Sequence, residues 1–402
     1  MDSSWTRTSL GDICMFRAGT AFPKQFQGEV SGEIPFIKVS DLKHSANSLY
    51  IRHSANWVDM STVEHLKASL LHPGAIVFAK IGEGLKAERF RLVARATCID
   101  NNLMGAIPQG VNAHFLYYLM VYTGVAHLVE GSALPYLRQS DLERIPVCVP
   151  PDDEQRRIAG VLGALDDKIE SNRAQQHLSE QLVRALIERI IDQFSGADFT
   201  TLDAYCTHLK ESVQPENLVS GDKYIALEHM PRGSVFLNSW TNAEHAGISS
   251  NKTRFRQGDL LFGKLRPYFK KVGVAPVAGV CSTDILVVRP RLQEFLPLIT
   301  VVASSDALIN SVSASATGTR MPRASWKDIS KWPVPRIADE TLITLLQPAN
   351  QLIAFSQALS FQNIRLAELR DALLPELMSG RMRVDEAGCL VSEALDEEVA
   401  DV

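Results

Sequence analysis

IPVCVPPDDEQRRIAGVLGALDDKIESNRAQQHLSEQLVRALIERIIDQF, residues 145–194, is the stretch that decides the fold. Its prolines keep the start extended, because each proline disfavours a helical conformation of the preceding residue. Asp152 or Asp153 can then cap a helix. From Ile158 onward, apolar and a few polar residues recur at alternating steps of four and three, the 3.5-residue repeat of a coiled-coil helix. About 40 such residues make a helix roughly 60 Å long, which needs a partner to bury its apolar face.

A matching pattern in residues 338–380 supplies that partner. The same alternating steps predict a second long helix that packs against the first. Both patterns are apolar at their ends and polar in the middle, which either fixes the helix register or marks a local shift that exposes these side chains. The polar positions are Asn172, Gln176, Ser179, Ser356 and Asn363. Pro348 lies inside the second pattern and predicts a kink or a fresh start of the helix.

The composition is that of a folded, soluble protein. With 402 residues, of which 46% are hydrophobic and 22% charged, the chain is long enough for two or more domains. It contains no apolar run of membrane-spanning length and no signal-peptide pattern at its start, so we expect neither a membrane helix nor secretion. The six cysteines are scattered without a CxxC pair, which indicates reduced thiols, a cytoplasmic protein and no metal site.

The net charge of −5 is set by the last residues. Residues 385–402 carry seven acidic side chains and no lysine or arginine, and the rest of the chain then has 41 basic against 39 acidic residues. A segment of this composition is expected to be disordered. The nearly neutral remainder permits a local basic surface without requiring one.

The segments before the two long helices share one order of elements. In residues 1–150, strand patterns precede a helical stretch at 114–129. In residues 199–335, strand patterns precede a helical stretch at 295–311. The strand patterns fall at residues 34–39, 75–81, 223–227, 258–265 and 284–288. Each segment therefore reads as a mixed domain that leads into a long helix.

The two halves are related by a direct repeat. HPGAIVFAKI, residues 72–81, aligns with RQGDLLFGKL, residues 256–265, at a constant offset of 184. Toward the end of each domain the offset becomes 187, where Pro146 aligns with Pro333. A duplicated unit is therefore expected. We predict an α+β fold in which two similar mixed α/β domains are separated by a pair of long antiparallel coiled-coil-like helices, with an internal pseudo-twofold repeat.

Candidate catalytic and cofactor-binding motifs fail on inspection. Gly82 and Gly84 follow a strand, but Ala87 stands where a dinucleotide-binding loop needs its third glycine. VPPD, residues 149–152, has the wrong flanking residues for an amino-methyltransferase motif. The sequence has no Walker-type phosphate loop and no HExxH zinc motif. We therefore predict no catalytic residue on this chain.

Basic residues interleaved with aromatic ones give the stronger functional signal. The second domain carries KLRPYFKK at residues 264–271, and the first carries several arginines after Lys80. Lysine and arginine bind phosphates, and arginine also binds guanine edges with two parallel hydrogen bonds; the alternative is an ordinary solvated surface. Loops at 131–137 and 316–322 are either recognition loops or repeated structural turns. The candidate DNA contacts are Lys80, Arg89, Arg91, Lys264, Arg266, Lys270, Arg320 and Arg323.

Three segments carry a resemblance to a known family. They are PPDDEQRRIAGVLGALDDKIESN (150–172), GDLLFGKLRPYFKKVG (258–273) and TGTRMPRASWKDISKWPVP (317–335). In their order and duplication these segments resemble the specificity subunits of type I restriction-modification systems, and the resemblance runs from Trp5 to about Val384. ADETLITLL, residues 338–346, departs from the family pattern that DDEQRRIAGVL follows in the first helix.

The resemblance implies a non-catalytic subunit that binds double-stranded DNA. Residues 1–150 and 199–335 would be target recognition domains, each reading one half of a split, asymmetric site. Residues 151–198 and 336–384 would be spacer helices, and each repeat would dock one methyltransferase (modification) subunit, two in all. A motor-nuclease subunit would complete a complex that restricts unmodified DNA. S-adenosylmethionine and ATP with magnesium would belong to those partners, so we expect no cofactor on this chain.

Three alternatives stay open at this point. The chain could serve a related phage-defence or stand-alone modification system that lacks the nuclease, which neighbouring genes would reveal. It could be an enzyme, which predicts methyl transfer by the purified chain alone. It could be a helical scaffold that binds only proteins, which predicts no salt-sensitive DNA binding.

Overall fold

The helix expected after the proline-rich segment runs from Asp152 to Gln193, in a computed structural model that describes residues 4–44, 46–128, 135–315 and 322–400, with the backbone alone for 396–400. In chain order the helices of these residues are α1 (Leu10–Ile13), α2 (Met60–Leu66), α3 (Glu83–Lys86), α4 (Ala113–Thr123), α5 (Gln139–Glu143), α6 (Asp152–Gln193), α7 (Leu296–Ser304), α8 (Asp306–Ser315), α9 (Trp326–Ser330), α10 (Asp339–Met378) and α11 (Val384–Ala400). Over the described ranges no single helix is long and apolar enough to cross a membrane, and one pair, Gln293–Ser304 with Asp306–Ser315, bent by 58°, meets that criterion by length and composition only.

The first half of the chain forms three sheets. Its strands are β1 (Thr6–Ser9), β2 (Cys14–Ala18), β3 (Ile34–Ile37), β4 (Tyr50–Ile51), β5 (Trp57–Val58), β6 (Leu70–Leu71), β7 (Ile76–Ala79), β8 (Arg91–Val93), β9 (Thr97–Ile99), β10 (Leu103–Pro108) and β11 (Pro146–Val149). The main sheet has the order β2-β10-β7-β8-β4, a second sheet has the order β5-β3-β9-β6, and β1 pairs with β11. We call this part the first sheet domain.

The second half of the chain forms the second sheet domain. Its strands are β12 (Phe199–Thr201), β13 (Cys206–Leu209), β14 (Ser212–Val213), β15 (Lys223–Ile225), β16 (Thr241–Asn242), β17 (Lys252–Phe255), β18 (Leu260–Gly263), β19 (Val272–Val274), β20 (Gly279–Cys281), β21 (Ile285–Pro290) and β22 (Pro333–Pro335). The main sheet has the order β13-β21-β18-β19, the second sheet has the order β14-β17-β20-β15-β16, and β12 pairs with β22.

The backbone pairing repeats between the two domains. β10 runs antiparallel to β7 with Met104 opposite Phe78, and β21 runs antiparallel to β18 with Leu286 opposite Phe262. Each second sheet contains one parallel pair, β3 with β9 and β15 with β20. The predicted mixed α/β class, with two similar sheet-rich domains and two long helices, is therefore confirmed.

The central strand of each main sheet is buried on both faces. In β7, Ile76 and Phe78 lie in a core shared with α4, whereas Val77 and Ala79 lie in a separate core on the other face. β18 divides in the same way, with Leu261 in the core on the second-sheet side. Because side chains alternate along a strand, these apolar runs fill two cores at once. Each fully buried large side chain contributes about 2 kcal/mol, so the end of this strand is a rigid place to carry functional residues.

The chain divides into two compact units, Met1–Glu170 with Leu366–Val402, and Ser171–Arg365. Each unit holds one sheet domain and a part of each long helix. In the first unit Ile158 and Leu162 of α6 share a core with Leu377 of α10. The boundaries predicted from the sequence treat each long helix as one segment, whereas the compact units divide both helices.

The long helices run antiparallel within the second unit, and their polar positions are buried. Asn172 donates a hydrogen bond to Asn363 Oδ1 at 2.9 Å, and Gln176 donates to Ser360 Oγ at 2.7 Å. An advance along α6 thus matches a step back along α10. Asn172 is fully buried and Asn363 is 5% exposed, which removes the alternative that a local shift exposes the polar positions.

Pro348 does not restart the second long helix. The helix is continuous from Asp339 to Met378, so the expected fresh start is wrong. A proline inside a helix removes one hydrogen bond and crowds the preceding turn, at a cost of about 3 kcal/mol. Leu346, Ala349 and Ile353 around it are almost completely buried. Their burial contributes several times about 1 kcal/mol, which offsets the proline.

The acidic C-terminal segment is helical, which corrects the expectation of disorder. α11 places Val384, Ala387 and Val391 in the core of the first unit. Arg157 of α6 pairs with Asp385 on the polar side of α11. The composition suggested disorder because acidic residues dominate it, but the apolar residues recur at steps of three and four. That spacing gives the helix one apolar face, which has a surface to pack against.

Candidate nucleic-acid interface

Lys80 stands at the end of the central strand of the first sheet domain. Its backbone N–H donates to the Asn102 carbonyl at 2.9 Å, and its carbonyl accepts from the N–H of Leu137 at 3.0 Å. Two residues later, the N–H of Gly82 donates to the Pro135 carbonyl at 2.7 Å. The segment that follows the first predicted loop is therefore fixed alongside the strand end that carries Lys80.

Lys264 has the same backbone environment in the second sheet domain. Its N–H donates to the Asp284 carbonyl at 2.8 Å, and its carbonyl accepts from the N–H of Ala324 at 2.9 Å. The N–H of Arg266 donates to the Pro322 carbonyl at 2.9 Å. These are the hydrogen bonds of the first domain displaced by 184 residues on the strand and 187 on the returning segment. The sequence repeat thus places one lysine at an equivalent strand end in each domain.

A cationic and aromatic surface surrounds Lys264. We call Arg232, Lys264, Arg266, Tyr268 and Arg323 the second-domain patch. Arg266 is exposed, and its guanidinium lies 6.0 Å from the centre of the Phe269 ring, while the Arg232 guanidinium lies 3.7 Å from the same ring. The Tyr268 side chain is 51% exposed. Guanidinium groups stacked on aromatic rings keep their donors available to a nucleic acid.

Arg266 has a left-handed backbone conformation, with φ 52° and ψ 64°. Its counterpart, Gly82, has φ 73°. A non-glycine residue in this region costs about 1–2 kcal/mol, and such strain persists where the surrounding structure imposes it. Position 266 therefore carries a long cationic side chain at a place where glycine would be the less strained choice.

His208 and Arg323 border the same surface. Burial, and then the charges of Lys210 and Lys264, hold the pKa of the His208 imidazole below its usual value, so the ring is neutral at neutral pH. Arg323 Nε lies 3.2 Å from Asp284 Oδ1, and about half of each pair's arginine side chain remains exposed. The surface thus presents permanent cations together with one neutral hydrogen-bonding ring.

The first domain places an aromatic–arginine pair where the second has Arg323. The offset of 187 aligns Tyr136 with Arg323. Arg138 donates from Nη2 to the Tyr136 hydroxyl at 2.9 Å, and its guanidinium lies 5.6 Å from the centre of the tyrosine ring. Sequence reasoning missed both residues as candidates, although the repeat marks Tyr136. Arg232, which it also missed, has no counterpart in the aligned segments and became visible only through its contact with Phe269.

Two other predicted contacts are bound within the protein. The Arg91 guanidinium donates to the Leu42 carbonyl at 3.2 Å, to the Phe90 carbonyl at 2.6 Å and to the Asn47 carbonyl, so it holds the turn before β4. Lys270 pairs with Asp306 at the start of α8. These contacts give both side chains a role in the fold.

The last two candidates add less. Arg89 is half-buried just before β8. Arg320 lies outside the described residues. The structure therefore brings Lys264, Arg266 and Arg323 together in one patch, and it places Lys80 at the equivalent strand end of the first domain.

The duplicated sheets and long helices match one family. Residues 2–179 match the family model described as type I restriction modification DNA specificity domain. The chain belongs to the type I specificity subunits. The family resemblance expected from the sequence is thereby confirmed. Proteins of this kind are the non-catalytic specificity components of type I restriction-modification systems.

Two curated relatives support this membership. The specificity subunit of the type I restriction enzyme MjaIX of Methanocaldococcus jannaschii is 26% identical over 191 residues, 46% of this chain and 43% of the relative. The EcoDI specificity subunit of Escherichia coli is 20% identical over 323 residues, 68% of this chain and 71% of the relative. The first match thus spans less than half the length of the relative.

A solved structure shares the fold. The crystal structure of a type I restriction-modification S subunit from M. genitalium superposes on this type I specificity subunit with a TM-score of 0.57 at 13% sequence identity. The superposition covers 94% of this chain and 97% of the other. At this identity the likeness concerns the fold alone, and it agrees with the arrangement of two mixed domains and two long helices.

Proposed function

We propose that this specificity subunit binds an asymmetric DNA site in two parts, one half read by each sheet domain. The observation that supports the proposal is the equivalent placement of Lys80 and Lys264 on strand ends with unlike neighbours. Gly82 and Tyr136 flank the first lysine, whereas Arg266 and Arg323 flank the second. Equal backbones with different side chains suit two surfaces that engage DNA alike and read different bases.

The chemistry of the second-domain patch suits duplex DNA. Lysine and arginine neutralise phosphates, and an arginine with a fixed backbone can donate two parallel hydrogen bonds to a guanine edge. Half-sites on one face of B-DNA lie about 34 Å apart, or a multiple of that distance. The two sheet domains would then occupy successive grooves, and no palindrome is required because their surfaces differ.

The proposal includes partners that supply the chemistry. Two methyltransferase subunits would dock on the two repeats, and a motor-nuclease subunit would join them for restriction. S-adenosylmethionine and ATP with magnesium would bind those partners. A related phage-defence or stand-alone modification system without the nuclease is the second candidate. A helicase-nuclease gene beside a methyltransferase gene would favour the first.

Salt dependence tests DNA binding against the alternative of a scaffold that binds only proteins. With roughly four phosphate contacts, the affinity of the full chain for duplex DNA should fall about 100-fold between 50 and 200 mM salt. Fluorescence anisotropy with labelled duplex measures this fall. The absence of binding at 50 mM salt, or an affinity that salt leaves unchanged, would contradict the proposal.

The long helices should set the gap between the half-sites. Inserting one heptad into both α6 and α10 lengthens each helix by about 10 Å, the length of roughly three base pairs. Mapping methylated adenines in cells that express the chain with its methyltransferase should show unchanged half-sites and a longer gap. Seven glycine and serine residues inserted into the 194–198 loop are the control and should leave the gap as it was. An unaltered gap in the heptad variant would refute this role of the helices.

A further inference from the structure

A buried polar cluster joins the first sheet domain to both long helices in the first unit. The Tyr118 hydroxyl on α4 donates to Asp166 Oδ2 on α6 at 2.7 Å, and Arg370 Nη1 on α10 donates to Asp166 Oδ1 at 2.6 Å. Tyr118 is 2% and Asp166 is 5% exposed. Burial, and then the Asp166 carboxylate, raise the pKa of Tyr118, so its hydroxyl keeps the proton that it donates. A carboxylate this deep depends on both donors.

The same three positions are apolar in the second unit. Phe115 on α4 aligns with Phe295 before α7 at an offset of 180, which places Leu298 at the position of Tyr118. The two long helices begin 187 residues apart, at Asp152 and Asp339. That offset places Ile353 at the position of Asp166 and Val183 at the position of Arg370. Leu298, Ile353 and Val183 are all buried in one core.

The register of the helices shows which positions would face each other in other pairings. The facing pairs are Asp166 with Arg370, Asn172 with Asn363, and Gln176 with Ser360. Continuing the same register within the second unit puts Val183 opposite Ile353. If α6 instead paired with α6 of a second chain in the equivalent way, Asp166 would face Val183. If α10 paired with a second α10, Arg370 would face Ile353.

We propose that the cluster of Tyr118, Asp166 and Arg370 makes the two halves of this chain pair only with each other, and excludes pairing with the same half of a second copy. Each pairing of like halves would bury Asp166 or Arg370 against an aliphatic side chain. The loss of one partner from a buried ion pair is strongly destabilising, whereas replacement of the whole pair by apolar residues is often neutral. The apolar joint in the second unit cannot discriminate in this way, so the discrimination lies in the first.

The test uses the full chain, opened after it has folded. A protease site inserted into the exposed 194–198 loop separates the halves while both remain present. Unlabelled and isotopically heavy chains are cleaved, mixed, exchanged in mild denaturant, returned to buffer and analysed by native mass spectrometry. The wild type should give pairs of unlike halves in at least about tenfold excess over pairs of like halves. A variant with Tyr118→Leu, Asp166→Ile and Arg370→Val copies the apolar joint, and its excess should fall at least about tenfold.

A charge exchange keeps the test decisive if the apolar variant does not fold. Asp166→Arg with Arg370→Asp, on a Tyr118→Phe background, should retain pairs of unlike halves, whereas Asp166→Arg alone on that background should reduce them. Asp152→Asn, which removes an exposed partner of Arg156 on the same helix, is the matched control and should exchange like the wild type. Like-half pairs at statistical proportion in the wild type, or an undiminished excess in the apolar variant, would overturn the proposal. Equal pairing of the single and double charge variants would overturn it as well.

Discussion

Replacing Lys264 by alanine and Arg266 by glycine should lower the affinity for specific DNA roughly 10-fold to 100-fold at about 150 mM salt. Two cations of the second-domain patch are lost, one beside phosphate and one able to contact a base edge. Glycine is chosen at 266 because the left-handed backbone with φ 52° is strained for other residues. The unfolding midpoint of the variant should therefore be no lower than that of the wild type.

Selectivity separates this effect from a general loss of charge. Binding to DNA libraries randomised at one half-site at a time should show relaxed preference at the half-site read by the second sheet domain only. Arg156→Ala is the matched control, because this exposed arginine lies on α6 and pairs with Asp152, away from the patch. An affinity and half-site preference like those of the wild type in the double variant would remove both residues from the interface.

Replacing Asp259 by alanine should lower the free energy of unfolding by about 3 kcal/mol. The carboxylate is 1% exposed and accepts from Arg289 Nε at 2.8 Å and Nη2 at 2.7 Å, and from the N–H of Arg256 at 2.7 Å. Its removal leaves the arginine partly buried without its anion. The aligned residue of the first domain is Ala75, so this pair belongs to the second domain alone.

The unfolding measurement needs an exposed pair for comparison. Urea denaturation followed by circular dichroism should show a loss of no more than about 1 kcal/mol for Lys331→Ala, whose partner is Asp203 at 3.0 Å on the surface. Asp259→Ala with Arg289→Met should recover part of the stability, because no unpaired charge remains. A stability of Asp259→Ala within about 0.5 kcal/mol of the wild type would show that the pair does not hold β18 to β21, and with them the strand end that carries Lys264.

Much of the candidate site followed from the repeat. The offsets of 184 and 187, read from residues 72–81 and 256–265 and from the later prolines, predict which backbone atoms correspond. The hydrogen bonds at Lys80 and Lys264 fall at those offsets. The seams of the long helices were likewise visible, because a 3.5-residue spacing is a local property of the sequence.

The individual contacts were less visible. Arg91 was selected for its charge, but it donates to carbonyls more than 40 residues earlier in the chain, and that proximity is produced by folding. Lys270 likewise meets Asp306 only in the folded second domain. For α11, composition outweighed spacing in the prediction, although three apolar residues on one face provide a packing surface. Charge and composition identify candidates, and only the tertiary neighbours separate a DNA contact from a structural one.

The central claim, one half-site for each sheet domain, is tested most directly by mapping methylation. The chain is expressed with its methyltransferase partner in a bacterium that lacks adenine methylation, and modified adenines are located by long-read sequencing. We predict one motif made of two unlike half-sites separated by a gap of fixed length without base preference. With residues 199–335 taken from another specificity subunit, only one half-site should change. An uninterrupted or palindromic motif, or a change in both half-sites after the exchange, would contradict the account.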